Sequence, residues 1–344
     1  MPPLSRHAWF GLLSIGKAFF VSPMRWRAAG ALGAIIALLL TLNALNVANS
    51  YVGRNFMTAI ALRDRGQYLR FAILYLGVFA ASAATEVSQQ FVQDRLALTW
   101  RDWLTRHLID RYLSGHTFDR ISAKKDIDNP DQRIAEDVHT FTSTLLSFVV
   151  MITNSAITTI AFAGVLWSIS PILLFTAIVY AAVGSAFTVL LGYRLVGLNN
   201  LQLKKEADLR YGLIHVREHG LPIGERDEPQ EVRGIHARLH RVVRNRRAII
   251  GVTRNVGFFT SGYNYLVPIL PVLIVAPLYL RGTIELGVVT QSAMAFAQLL
   301  GAFSLIVAQF QSISAFAAVV RRLSALWDEM DGPMFLEAVV GSSG

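Results

Sequence analysis

The stretch that decides the fold lies at residues 138–193 and reads VHTFTSTLLSFVVMITNSAITTIAFAGVLWSISPILLFTAIVYAAVGSAFTVLLGY. These 56 residues contain no Lys, Arg, Asp or Glu, and only the segment Ser168–Pro171 near the middle resembles a turn. About 20 apolar residues in a helix cross the ~30 Å hydrocarbon core of a bilayer. The stretch is therefore long enough to cross a membrane twice, and it predicts an integral membrane protein.

Four further apolar runs of similar length lie elsewhere in the chain, and one of them contains a single charge, Glu86. The composition agrees with a membrane protein, since 53% of the residues are hydrophobic, 16% are charged and the mean hydropathy is +0.44. The predicted fold class is therefore all-α, a polytopic membrane protein with six transmembrane helices. The six predicted spans lie at about 28–50, 69–93, 138–168, 171–194, 255–280 and 286–312.

Basic residues are unevenly distributed between the predicted connections. Of the 32 Lys and Arg residues, 27 lie before the first span, in the long connections 92–138 and 194–254, or after the last span. Lys and Arg accumulate on the cytoplasmic side of membrane proteins. We therefore expect a multi-pass protein of the cell inner membrane with both termini and both long connections in the cytoplasm. No nucleic-acid partner is expected, because the 13 basic residues of 194–254 are mixed with 7 acidic ones and few aromatic ones.

Three regions follow from this pattern. Residues 1–27 mix aromatic, aliphatic and basic side chains, which is typical of a helix lying in the membrane interface. Residues 28–326 form the six-helix membrane domain, in which the connections at about 92–138 and 194–254 are expected to be helical hairpins. Residues 327–344 are expected to form a C-terminal tail.

Two motifs lie in the first connection. One is Trp100-Arg101-Asp102-Trp103-Leu104-Thr105, and the other reads IDNPDQRIAEDV over residues 127–138. In the second, Asn129-Pro130 indicates a turn, and the Asp residues around it can cap the next helix.

These motifs resemble the signature of the SbmA/BacA-like peptide transporters and of their ATP-driven relatives, which include the peroxisomal fatty-acyl ABC transporters. The resemblance runs from about Ser22 to Leu326. The residues that carry it are Trp100, Arg101, Trp103, Asn129, Pro130, Asp131, Gln132, Arg133, Glu136 and Asp137.

The resemblance implies a membrane domain like that of type-1 ABC exporters, which works as a homodimer around a shared cavity that opens alternately to either side. In ATP-independent members of the family, glutamates that face the cavity exchange protons, so the resemblance assigns this role to Glu206 and Glu136. Glu86 is a third candidate, because an ionisable group within a span is costly to bury and is often functional. Each has a structural alternative: surface pairing for Glu206, capping or a salt bridge to Arg133 for Glu136, and a solvated position near the membrane face for Glu86.

The function expected from this resemblance is proton-driven import of peptides or peptide-like antibiotics. One alternative is the membrane half of an ATP-driven ABC transporter, whose nucleotide-binding domain is absent from this chain or supplied by a separate ATPase subunit. A second alternative is a membrane scaffold that transports nothing.

No catalytic site, cofactor or metal is expected in the chain itself. It contains no cysteine, which excludes thiol catalysis and Cys-based metal sites. The segment Gly11–Ala18 superficially resembles a phosphate-binding loop, but Ala18 lacks the hydroxyl that would bind Mg²⁺. His215–His219 matches the H-x-x-E-H pattern of a class of zinc proteases, but Gly220 and Pro222 follow at once and would end the helix.

The predicted topology can be tested by labelling single cysteines introduced into this cysteine-free chain. With a membrane-impermeant thiol reagent on intact cells, Arg65→Cys and Gly282→Cys should react, because both lie in short connections on the external side. Arg120→Cys and Arg226→Cys should react only after the cells are opened. The reverse pattern would contradict the topology.

Overall fold

The computed structural model describes residues 6–114, 118–119, 128–219 and 228–331, and all of the regular structure within these ranges is helical. A π-helical turn, Arg133–Asp137, joins the fourth helix to the fifth. The helices in chain order are α1 (Arg6–Val21), α2 (Arg25–Ala61), α3 (Arg65–Leu113), α4 (Pro130–Gln132), α5 (Val138–Ile169), α6 (Pro171–His219), α7 (Glu228–Leu266), α8 (Ile269–Leu280), α9 (Leu286–Ala308) and α10 (Phe310–Asp331).

Six helical segments are long and apolar enough to cross a membrane. Each coincides with one predicted span, so the predicted all-α fold with six membrane-spanning helices is confirmed. Helices α3 and α6 contain 49 residues each, which corresponds to about 73 Å and more than twice the hydrocarbon thickness. The six segments are Arg25–Ala61, Arg65–Leu113, Pro130–Ile169, Pro171–Glu218, Val232–Leu280 and Leu286–Phe303.

The bundle has two different ends. Three short turns, at 62–64, at Ser170 and at 281–285, lie at one end, which we call the top. Helix α1, the last turns of α3 and α6, the first turn of α7, and α10 lie at the other end, which we call the base. The distribution of basic residues predicts that the base is cytoplasmic.

A core of apolar side chains holds the top together. It is built by α5, α6, α8 and α9, and its fully buried members include Leu166, Leu173, Val275, Phe296 and Leu299. Beside this core, α9 approaches α2 so closely at Gly287 that a Cβ atom there would overlap the backbone carbonyl oxygen of Arg54. The Gly287 N–H donates a hydrogen bond to Thr58 Oγ1 at 3.3 Å. Only glycine permits this approach between the two helices.

A second core lies at the base. It joins α1, α2, α3, α5 and α10, and its fully buried members include Phe19, Leu104, Phe141, Val320 and Leu326. Trp327 and Met330 belong to the same core, so the packed structure continues past residue 326, where the sequence analysis placed the start of the tail. The last predicted helix is divided near Gln309 into α9 and α10.

Helices α6 and α7 form a long antiparallel pair, which we call the α6–α7 arm. Their rings meet at Tyr180 and Tyr263, which stack at 4.2 Å. Each tyrosine hydroxyl donates to the other's backbone carbonyl, at 2.7 and 3.2 Å. Among the described helices, α7 packs mainly against α6. Pro268 separates α7 from α8, as a residue that lacks a backbone donor is expected to do. The helix end predicted at Gly220 and Pro222 lies outside the described residues.

The close contact between α2 and α9 can be tested by substituting glycines of α9. Gly287→Ala should lower the midpoint of thermal unfolding, because the methyl group meets backbone atoms that cannot rotate away, and overpacking costs about 1–3 kcal/mol. Gly301→Ala is the matched control, because a Cβ atom there would meet no other atom within 4 Å. Unfolding is monitored by tryptophan fluorescence in detergent. Equal unfolding midpoints for the two variants would contradict the close contact between α2 and α9.

Candidate coupling site at the base of the bundle

The second sequence motif forms the junction between the first long connection and α5. Asn129 adopts a left-handed conformation with φ of 47°, which asparagine tolerates better than most residues. Pro130 then starts the helix, where its fixed φ is suitable and its missing N–H is not needed. The predicted turn and helix start are therefore confirmed. The neighbouring Asp residues suggested a side-chain cap for this helix. Asn129 occupies the N-cap position, and no side-chain capping hydrogen bond is formed there.

The π-helical turn that follows carries an ion pair whose carboxylate is buried and whose arginine is about half exposed. The Asp137 carboxylate, only 4% exposed as a residue, accepts two hydrogen bonds from Arg322 of α10. The distances are 2.7 Å from Nε and 2.6 Å from Nη2. Such two-point pairing between guanidinium and carboxylate is strong and fixes orientation. It joins the start of the third span to the helix that follows the sixth.

A second arginine completes this contact. Arg133 is also buried, and its Nη1 donates to the backbone carbonyl of Arg322 at 2.9 Å. Its Nε donates to the carbonyl of Asp128 at 3.0 Å. We call Arg133, Asp137 and Arg322 the base clamp. The hydrogen bonds that Arg322 donates to the Asp137 carboxylate raise the pKa of Arg322 above its ordinary value, so the Arg322 guanidinium stays charged.

The tryptophans of the first motif pack beside the base clamp. Trp100 of α3 stacks on Phe19 of α1 at 5.1 Å and meets the edge of Phe141 of α5 at 5.8 Å. Trp103 stacks on His107 at 5.4 Å, and the other face of His107 stacks on Trp327 of α10 at 5.2 Å. The motif tryptophans therefore fix α3 to three other helices of the base core.

The remaining motif residues lie outside the clamp. Glu136 is exposed and accepts a hydrogen bond from Gln132 Nε2 at 3.1 Å. The alternative salt bridge from Glu136 to Arg133 is not formed among the described residues. Asp131 is exposed and Arg101 is partly exposed.

Glu206 lies on the α6–α7 arm at the end of a short polar chain. Asn245 of α7 donates to Gln202 Oε1 at 2.8 Å, and Gln202 Nε2 donates to Glu206 Oε1 at 2.9 Å. Asn245 and Gln202 are buried, whereas Glu206 is exposed. The neighbouring Asp208 makes surface ion pairs with arginines of α7, at 3.4 Å for Arg241.

Glu86 is exposed on α3, two turns before the exposed Asp94. Glu86, Glu136 and Glu206 thus lie on three different segments, and no hydrogen bond within the described chain joins any two of them.

Sequence reasoning missed several polar contacts between the spans. Asn43 of α2 donates to Asn154 Oδ1 of α5 at 2.9 Å and accepts from Thr158 at 2.7 Å. Near the top, Arg54 lies 3.8 Å from Glu285. Polar residues inside apolar runs were the available signal, because a buried amide needs a partner. Arg322 gave no comparable signal, since its partner lies 185 residues earlier in the chain.

No group of three or more His, Asp or Glu residues is arranged to hold a metal ion within the part of the chain that the structure describes. The H-x-x-E-H string is only partly described, because the side chain of His219 lies outside the described residues.

Comparison with known proteins gives the family. The family model for ABC transporter transmembrane region 2 matches residues 15–280. The chain is 39% identical to ABC transporter D family member 2, chloroplastic, of Arabidopsis thaliana, over 95% of this chain and 46% of the relative. It is 36% identical to an uncharacterized ABC transporter ATP-binding protein of Synechocystis, over 94% of this chain and 51% of the relative. It is 25% identical to the lysosomal cobalamin transporter ABCD4 of Homo sapiens, over 77% of this chain.

These matches correct the finer resemblance drawn from the motifs. They support an ABC transporter membrane domain, and they do not support the SbmA/BacA-like assignment. The chain spans about half the length of the relatives it matches most extensively. With a family model that covers most of its length, this chain belongs to the family of ABC transporter transmembrane region 2.

Proposed function

We propose that this chain is the membrane-spanning half of an ATP-driven transporter that works as a dimer. The observation that carries the proposal is the similarity over 94% of the chain to a protein named for ATP binding, of which the chain matches only 51%. The nucleotide-binding half then supplies the ATPase activity, either in the same polypeptide or as a separate subunit. This proposal replaces proton-driven peptide import as the main interpretation.

Exposed apolar side chains below the span support a dimer. The charge-free run of the fourth span ends at Arg194. Leu203 lies nine residues beyond it, which is about 13 Å along the helix from the end of the span. Leu203 and Tyr211 of α6 are 67% and 66% exposed. Lipid tails do not reach this depth, so we take these exposed apolar side chains as candidates for a contact with another protein. A second copy of the chain is the partner that the proposed function requires.

The base clamp supports a route by which movement of a nucleotide-binding domain could reach the spans. Helix α10 follows the sixth span and packs in the base core, and Asp137 joins it to the turn before α5. A nucleotide-binding domain that docks at the base and displaces α10 would therefore move the third span with it. The ion pair suits this role, because separating a buried carboxylate from its partner is costly.

A second candidate function, gradient-driven transport, is favoured by one observation. Glu206 accepts a hydrogen bond from Gln202 of the same helix, and Gln202 accepts one from Asn245 of α7, so Glu206 is connected to the contact between α6 and α7. Glu136 and Glu86 remain proposals for the same role, without a comparable network.

The energy source can be tested without knowing the substrate. In proteoliposomes that hold both halves, ATP should change the labelling rate of His139→Cys, an exposed position beside the base clamp, because domain closure repacks the base. An imposed pH gradient without ATP should leave the rate unchanged. A response to the gradient that Glu206→Gln abolishes and Asp208→Asn retains would favour the second candidate instead.

The clamp can be tested with adjacent arginines of α10. Arg322→Gln should lower the free energy of unfolding by about 1–3 kcal/mol, because it leaves the Asp137 carboxylate buried with fewer donors. Arg321→Gln is the matched control, since Arg321 is exposed and should change stability by no more than ~0.5 kcal/mol.

Chemical unfolding of both variants, with wild type alongside, gives the comparison. In the presence of the nucleotide-binding half, Arg322→Gln should also weaken the ATP-dependent change at position 139 while ATP hydrolysis continues. If ATP changes the labelling rate at position 139 as much in Arg322→Gln as in wild type, the clamp does not transmit the movement.

A further inference from the structure

An apolar groove lies on the outside of α2 and α3 in the top half of the bundle. The groove is shallow and open to the outside, with a volume of about 520 Å³. The α3 side of the groove is formed by Arg70, Ile73, Gly77 and Ala81, which follow each other at about one helical turn, and Leu45 lines it from α2. A Cβ atom at Gly77 would meet no other atom within 4 Å, so the floor of the groove is open there.

The length of the groove matches one leaflet of a bilayer. Arg70 and Ala81 are 11 residues apart, which is about 16 Å along a helix, and half of a ~30 Å hydrocarbon core is about 15 Å. Ile73 is 71% exposed, so the surface available to a ligand is apolar. Below Ala81 the side chains become polar, at Thr85 and Glu86, and the apolar groove ends.

A single positive charge stands at the top end of the groove. Arg70 is exposed, and no residue in the described part of the chain pairs with it. Arg54, another arginine at this end, lies 3.8 Å from Glu285. Arg70 lies beside the start of the predicted span at about residue 69, which is the level of lipid headgroups. The unpaired guanidinium is therefore placed where a phosphate would be, and guanidinium groups pair readily with phosphate.

We propose that this groove binds one anionic phospholipid from the leaflet at the top, with its phosphate on Arg70 and one acyl chain along Ile73, Gly77 and Ala81. A zwitterionic lipid fits less well, because no acidic side chain lines the groove to pair with a choline group. The site is independent of the energy source, so its test does not depend on the proposed function.

The test measures lipid retained by the full chain, purified in detergent and titrated with phosphatidylglycerol or phosphatidylcholine, by native mass spectrometry. Wild type should retain more phosphatidylglycerol than phosphatidylcholine. Arg70→Gln should lower phosphatidylglycerol retention about fivefold, the effect expected of one arginine at a lipid surface. Gly77→Leu should lower retention of both lipids, because the new side chain fills the floor of the groove.

Two matched controls separate the groove from general effects. Arg65→Gln removes an exposed arginine from the same helix outside the groove. Gly164→Leu enlarges an exposed glycine of α5 that, like Gly77, has open space around it. Both should retain lipid as wild type does. All four variants should keep the unfolding midpoint and elution volume of wild type, since none of the side chains is buried.

Several outcomes would overturn the proposal. Unchanged phosphatidylglycerol retention in Arg70→Gln would contradict the contact between Arg70 and the headgroup. Unchanged lipid retention in Gly77→Leu would contradict the contact between the groove and an acyl chain. Equal losses in the controls would mean that lipid binds nonspecifically. If Gly77→Cys in membranes forms a disulfide between two copies, the groove is an interface between subunits and holds no lipid.

Discussion

A backbone peptide group in hydrocarbon has no water to form hydrogen bonds with. It must therefore form its hydrogen bonds within its own helical segment or within a closed sheet. This constraint accounts for the main features of the structure. The spans are helical, and short turns at the ends connect them; the fifth span is interrupted once, where Pro268 separates α7 from α8. Some polar side chains within the spans are paired across helices, as between Asn43 and Asn154. Helices also approach closely where a side chain is absent, because packing and not the hydrophobic effect drives association in lipid. Gly287 against α2 is one such contact.

The base obeys different rules, because water is available there. An ion pair such as Asp137 with Arg322 would be expensive within the bilayer, and at the base it can form beside an apolar core. Two features set its geometry: the π-helical turn, a rare element that is often found at functional positions, and the stacking of Trp103, His107 and Trp327. The two motifs of the first connection thus have a common physical role. They hold α10 against the start of the third span.

The two cores hold different sets of helices together. The top core joins α5, α6, α8 and α9 around short turns, whereas the base core joins α1, α2, α3, α5 and α10 and includes no residue of the α6–α7 arm. An arm that packs mainly on itself, with Leu203 and Tyr211 exposed below the span, is free to contact another polypeptide. This free surface is one of the observations that support the proposed dimer.

The sequence by itself determined the fold class, the number of spans and their approximate positions. These depend on hydrophobicity and charge summed over about 20 residues, which any tertiary arrangement must respect. It also marked Trp100, Trp103, Arg133 and Asp137 as members of motifs, and it placed the turn at Asn129. The sequence could not assign roles within the motif. Glu136 and Asp137 are adjacent acids, yet one is exposed and the other is buried.

Only the tertiary structure decided which of Glu136 and Asp137 is buried, because burial and pairing depend on residues distant in the chain. Arg322 lies 185 residues from Asp137, and no local pattern joins the two. The same reason explains why Gly287 was not recognised as a contact and why the groove beside Arg70 was not foreseen. A groove exists only when two helices stand side by side, and hydropathy fixes that a helix crosses the membrane without fixing which neighbour it meets.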